Sequence, residues 1–227
     1  MVHLAVAHEL ARRIGLPEDP GLYFIGSIAP DGIHTRTGAT RDDKRRVHLT
    51  SDRLLPLKQR LHSVDELLPA LSSSVDWSLL RGWITHLVTD FVWSQHLVHG
   101  VWEDATPGWS QEQRDRRYYE EADKIDFILY RTAAWRPDVW QLIAGRPTPG
   151  FADYLTSDEI AAWRDRLLRW FTELKQQPPA EPTTITMDRV HRFIDICATM
   201  LDRGLAGCLV AAMEAMPGIC GHGLLRS

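Results

Sequence analysis

The stretch Leu79-Leu-Arg-Gly-Trp-Ile-Thr-His-Leu-Val-Thr-Asp-Phe-Val-Trp93 decides both the fold class and the chemistry to look for. Leu79, Leu80, Trp83, Leu87 and Phe91, continued by Leu97, recur at helical separations, which predicts one long helix over about Val75 to Val101, with Gly100 near its end. His86 and Asp90 stand four apart, so that helix brings an imidazole and a carboxylate to one face. Metal ligation needs several lone-pair donors converging at about 2 Å from one ion, and such a pair supplies two of them from one element. On its own the pattern more often reads as a core histidine beside a solvated or paired carboxylate, because H-x-x-x-D is common by accident.

The same periodicity spreads outward. A helix is expected from about His3 to Ile14, with Leu4, Ala7, Leu10, Ala11 and Ile14 on one stripe, Gly15 as its stop and Pro17 and Pro20 beyond it. Others are expected over about Gln111 to Ala133, with Pro137 past its end, and over Ser157 to Gln176, opened by a Thr156-Ser157 cap with Asp158 and Glu159 in the first turn. A last one covers about Met187 to Met213, with Val190, Ile194, Cys197, Leu201 and Leu205 inside and Gly204 and Gly207 as close-packing points. Leu22 to Thr50 reads instead as a long functional loop behind an apolar anchor, Leu22-Tyr-Phe-Ile25. The proline-rich 177–184 is expected to be a surface loop before the last helix rather than a domain boundary. No repeat and no sustained strand alternation appear, so the class is all-α, a single multi-helix domain over 1–227.

Composition narrows the function. With 44% hydrophobic and 25% charged residues the chain has enough apolar surface for a core and is neither disordered nor membrane-spanning. A formal net charge of -4 gives no counterion-releasing pull toward nucleic acid, so none is expected as a partner. Met1-Val-His-Leu-Ala-Val-Ala-His8 shows no basic leader followed by an apolar block, so the expectation is a cytoplasmic protein. Cys197, Cys208 and Cys220 fit neither a disulfide framework nor a thiolate zinc knuckle and read as buried small residues.

Other donors join the pair. Asp31 sits behind Pro30 in Gly26-Ser-Ile-Ala-Pro-Asp31, and His48 closes Lys44-Arg-Arg-Val-His48 before an expected helix. His3 stands at the start of the first helix, and His96 six residues beyond Asp90.

The order His3-Leu-x-x-Ala, Leu22-Tyr-Phe-Ile-Gly-Ser-Ile-Ala-Pro-Asp31, Arg41-Asp-Asp-Lys-x-x-x-His48 and Gly82-Trp-Ile-Thr-His-Leu-Val-Thr-Asp-Phe-Val-Trp93 resembles the zinc-dependent phospholipase C family over roughly the first 130 residues. That family is similar in fold to the P1 nuclease type. The resemblance implies a helical domain with one to three zinc ions, or another divalent transition metal, hydrolysing phosphoric esters as a phosphodiesterase or phosphatase. A small phosphoester or a phospholipid head group would be the substrate. It implies that Asp31, His48, His86 and Asp90 hold the principal ion, with Asp31, His86 and Asp90 closest to the chemistry. Asp90 would also reach a second ion beside His3. His96 would bind a further ion together with a carboxylate, for which Asp123 is preferred among Glu120, Glu121, Asp123 and Asp126. The chain departs from the family twice: no His-x-x-x-Glu follows His96, and the sequence opens on Met1-Val2-His3 rather than a processed tryptophan. Metal-activated water needs no serine or cysteine nucleophile, and Asp31 could orient it or serve as a plain ligand.

Of the cations between the proposed ligands, Arg36, Arg41, Lys44, Arg45 and Arg46, some are candidates for a substrate phosphate, Arg41 and Lys44 first. An exposed, solvated basic loop is the equal alternative. Nine tryptophans allow an aromatic cage, yet aromatics at helical spacing are more often core; Trp93 and Trp83 are the two that flank the ligands. His34 reads as a neighbour of Asp31, while His8, His62, His99, His191 and His222 read as structural or surface residues, His191 as a buried one. Two further functions stay open: a metal-binding protein of this fold without the activity, and a hydrolase or lyase acting on another small molecule.

Overall fold

Helix α1, Val2–Ile14, packs Leu4, Val6, Ala7, Leu10 and Ala11 inward and ends at Gly15, whose φ of 87° is the left-handed conformation that glycine adopts without cost. The structure is a computed structural model, described below for residues 1–48, 76–178 and 180–214, with 205–214 as backbone only. It is mostly helical, and within the described residues the only β-pairing is the single bridge between Phe151 and Leu155.

The segment expected as an irregular loop is largely helical. Asp19 caps α2, Pro20–Gly26, by accepting from the Leu22 amide, and Pro20 fits the first turn because its missing N–H would have no partner there. A 3-10 turn follows over Ala29–Thr35, opened by Pro30, and then α3, Arg41–Val47, with a capping box between Thr40 and Asp43. Glycine and proline here mark helix ends rather than loop. The run Gly21 to Pro30 is buried throughout, so its backbone polar groups need internal partners, which the short helices supply.

The central helix α4, Trp77–Trp93, is capped by the Asp76 carboxylate, which accepts from the Ser78 and Leu79 amides. It continues not as α-helix but as a π-helical stretch, Ser94–Trp102, and a short turn at Glu103–Ala105. Helix α5, Gln111–Thr132, matches its expected span within a residue, whereas the chain past it forms a helix the sequence reading did not foresee: α6, Arg136–Ile143, with Pro137 in its first turn. Helix α7, Ser157–Arg169, has the expected Thr156 cap, with Glu159 completing the box, and passes into a π turn at Trp170–Leu174. Helix α8 runs Met187–Glu214.

Helix α2 lies across α4, α1 against α4 and α8, and α7 against the 3-10 turn. The α2–α4 crossing is backbone to backbone at Gly26 and Gly82. A Cβ on Gly82 would stand 2.1 Å from the Tyr23 carbonyl oxygen, and one on Gly26 2.2 Å from that of Leu79. Gly204, by contrast, is exposed and has nothing among the described residues within 4 Å of where a Cβ would be, so no packing contact is seen there. Trp83 is core, stacked at 3.6 Å on Phe151. The Glu121 carboxylate accepts from the amides of Thr183 and Thr184, pinning the segment before α8 to α5. Among the described residues no helix is long and apolar enough to cross a membrane. Cys197 is buried; Cys208, Cys220, His62, His222, Gly207 and the helix expected after His48 lie outside the described residues or side chains.

Candidate metal centre

Where α1, the 3-10 turn, α3 and α4 meet, five side chains far apart in sequence converge: His3, Asp31, His48, His86 and Asp90. His86 is the hub. Its side chain is fully buried, and its Nδ1 lies 2.9 Å from the carbonyl oxygen of Ser27, at the C-terminal end of α2. A carbonyl only accepts, so Nδ1 carries the hydrogen and Nε2 is turned into the cluster. The Gly26–Gly82 contact makes this bond possible, since only bare backbones let α2 approach α4 closely enough.

His48 repeats the device. As the C-cap of α3 it donates from Nδ1 to the Lys44 carbonyl at 3.0 Å, which turns its Nε2 toward Asp31 Oδ1 at 3.6 Å and Asp90 Oδ2 at 3.8 Å. Both carbonyls belong to helix C-terminal turns, where backbone oxygens lack intrahelical partners or share them. His3 stacks on His86 with ring centroids 3.9 Å apart and places Nε2 2.8 Å from Asp90 Oδ1. Asp90 Oδ2 is in turn 3.4 Å from His86 Nε2. That distance is an ion-pair contact and lacks hydrogen-bond geometry, so the buried Nε2 has no hydrogen-bond partner.

Two donor triads are close enough to share an ion, with ligand atoms mutually within 4.8 Å: His3, Asp31 and His86, and His48, His86 and Asp90. Both contain His86, which has one nitrogen to give. The donor set would therefore hold a single ion at Nε2, ringed by imidazoles and carboxylates of the kind that bind zinc and similar divalent metals. An orphaned nitrogen in a fully buried ring, facing two carboxylates, is an arrangement that a cation fits.

The electrostatics agree. Burial disfavours a charged His86, but the nearby charges of Asp90 and Asp31, with the Ser27 hydrogen bond, outweigh it and push the ring up to about 9. Burial raises and His86, His48 and His3 lower Asp31, for a net value of about 2. Asp90, opposed by burial but facing His86 and His3, lies well below the carboxylate range. Burial and then His86 hold His3 below its ordinary 6.5 despite Asp90. In the metal-free protein the His86 contribution to stability is complete below 6.5 and is lost as pH rises through about 9. The Asp31 contribution is present above 3.8 and is lost as pH falls toward about 2. A metal needs the Nε2 lone pair, so binding at pH 7 must expel the His86 proton. Calorimetry in two buffers of different ionisation enthalpy is expected to record about one proton released per ion, with affinity rising between pH 7 and 9. Release of none would mean that His86 is not a ligand.

Two residues expected as ligands are not brought into the cluster. His96 is exposed on the π-helical stretch, and Asp123 is held by Lys175 at 2.8 Å; neither belongs to a metal-capable group among the described residues. The helical phase explains His96: six residues beyond Asp90 is off the ligand face, and the π winding moves it further. Asp126, one turn from Asp123, pairs instead with the Met1 amino group at 3.1 Å.

The surrounding cations and aromatics sort similarly. Arg36 is bound to Glu159, Arg45 to Asp42 and Arg46 to Asp153, while Arg41 is exposed and Lys44 half-buried on α3. Trp93 donates from Nε1 to the Tyr118 hydroxyl at 2.6 Å and meets Phe193 edge-on, so it is packed rather than presented. His34 lies 3.9 Å from Asp31 at the mouth of the cluster, and His191, expected inside, is exposed. The orienting carbonyls of Ser27 and Lys44 carry no side-chain signal and could not be foreseen. Comparison with known family models, curated proteins and solved structures gave no match.

Proposed function

We propose that the protein is a metal-dependent hydrolase of phosphoric esters, similar to the zinc-dependent phospholipases C, with its ion held by His86, His48, Asp90, His3 and Asp31. The observation that carries the reading is the buried, unbonded Nε2 of His86, ringed by four further donors from separate elements. The order of motifs in the sequence supports the choice of family. A bound divalent cation supplies positive charge and an acidified water for in-line displacement at phosphorus.

The chain's own residues supply the rest. Ser27 and Lys44 fix the imidazoles of His86 and His48, and Asp90 joins His3 to His86 through its two oxygens. Asp31, partly open and facing His48 Nε2 at 3.6 Å, is the carboxylate assigned to accept a proton from an attacking water. Arg41 and Lys44 on α3, the element that carries His48 at its end, are the candidates to hold substrate phosphate. His96 and Asp123 lie outside the ligand set, so the reading rests on the five-residue centre alone.

Zinc-loaded wild type should turn over a phosphodiester or a phosphomonoester from a panel that includes phospholipid head-group analogues. His86→Ala should fall to background, and Asp31→Asn should lose about 10²-fold or more in kcat. Turnover of neither class above the His86→Ala level, with zinc bound, would leave a metal-binding protein without this activity and overturn the proposal.

A further inference from the structure

A second constellation lies on the π-helical stretch that follows α4. Ser94 Oγ is 3.3 Å from His99 Nε2, and His99 Nδ1 is 3.0 Å from Glu103 Oε1. The winding creates this geometry. An α-helix of about 3.6 residues per turn would carry a residue five positions on well away from Ser94, whereas the i to i+5 ladder of a π-helix sets His99 over it.

The hydrogen-bond roles are then determined. An ionised carboxylate only accepts, so Glu103 takes the Nδ1 hydrogen of His99; in the neutral ring Nε2 is left with its lone pair, and the Ser94 hydroxyl donates to it. A hydroxyl, an imidazole acceptor and a carboxylate in line are the parts of an activated nucleophile. His99 and Glu103 are about half exposed, so reagents reach them, and neither belongs to the metal cluster.

We propose that Ser94, His99 and Glu103 form a nucleophilic relay that accepts acyl groups from small activated carboxylic esters, independently of the metal centre. Ser94 Oγ forms the bond to the carbonyl carbon while its proton passes to His99 Nε2. The bond from that carbon to the alcohol oxygen breaks, and the alcohol leaves with the proton. Water then releases the acid from acyl-Ser94, its proton passing to His99 and the Ser94 oxygen regaining one. Glu103 touches no reacting atom; it is a positioning residue that fixes the His99 tautomer.

The test uses the full chain in EDTA, which removes the metal centre from the question. p-Nitrophenyl acetate should give a burst of p-nitrophenolate, and a fluorophosphonate should label one site, mapped to Ser94 by peptide mass spectrometry. Ser94→Ala should abolish both, with its helical circular dichroism unchanged. His99→Gln should slow them about 10²-fold. Glu103→Gln should slow them too, and Glu103→Asp, which keeps a carboxylate, should recover part of that loss. Equal p-nitrophenolate release by wild type and Ser94→Ala, or absence of label on Ser94, would overturn the proposal.

Discussion

Gly82→Ala should destabilise the fold by about 3 kcal/mol, more than a single added methyl costs in most cores. Helix propensity runs the other way, since alanine in a helix interior is favoured over glycine by about 1 kcal/mol. Packing overrides it. The new Cβ would lie 2.1 Å from the Tyr23 carbonyl oxygen, 2.7 Å from the Ser27 nitrogen and 2.8 Å from the Gly26 Cα, and all three are backbone atoms that cannot rotate away. Helix α2 would have to lift off α4, taking with it the Ser27 carbonyl that orients His86. Urea unfolding should therefore show a lower midpoint, and metal affinity should fall in the same variant. An unchanged midpoint would show that the crossing is looser than described.

His86→Ala should weaken metal binding by well over the 10–100-fold typical of losing an orienting partner, because it deletes the donor common to both triads. It also leaves Asp31 and Asp90 facing each other without the charge that now separates them. The contrast is His96→Ala and Asp123→Asn, which should alter affinity less than about tenfold, the lower end of what orienting partners contribute. His96 is exposed and Asp123 is occupied by Lys175. A loss at Asp123 comparable to that at His86 would place the ion elsewhere.

The long helices were legible because each presents a continuous apolar stripe, as α1, α5 and α8 do. The stretch from Leu22 to His48 was not, because its elements are single turns too short to show a period and are punctuated by the glycines and prolines that mark loops elsewhere. Caps gave the signal that was missed: Asp19 before Pro20, Thr40 before Asp43. The five cluster residues could be nominated from residue type and order. What the sequence could not convey is that His48 and His86 are aimed by backbone carbonyls, or that α4 changes to π winding after Trp93. That change turns His96 further from the ligand face and brings His99, read as a surface histidine, into line between Ser94 and Glu103.

The most direct measurement is elemental analysis of the purified wild-type chain, reconstituted with zinc and dialysed, beside His86→Ala treated identically. A centre built on His86 Nε2 requires at least about one zinc per wild-type chain and little or none in the variant. Wild-type protein that retains no zinc or other divalent transition metal, or a variant that retains as much as wild type, would contradict it.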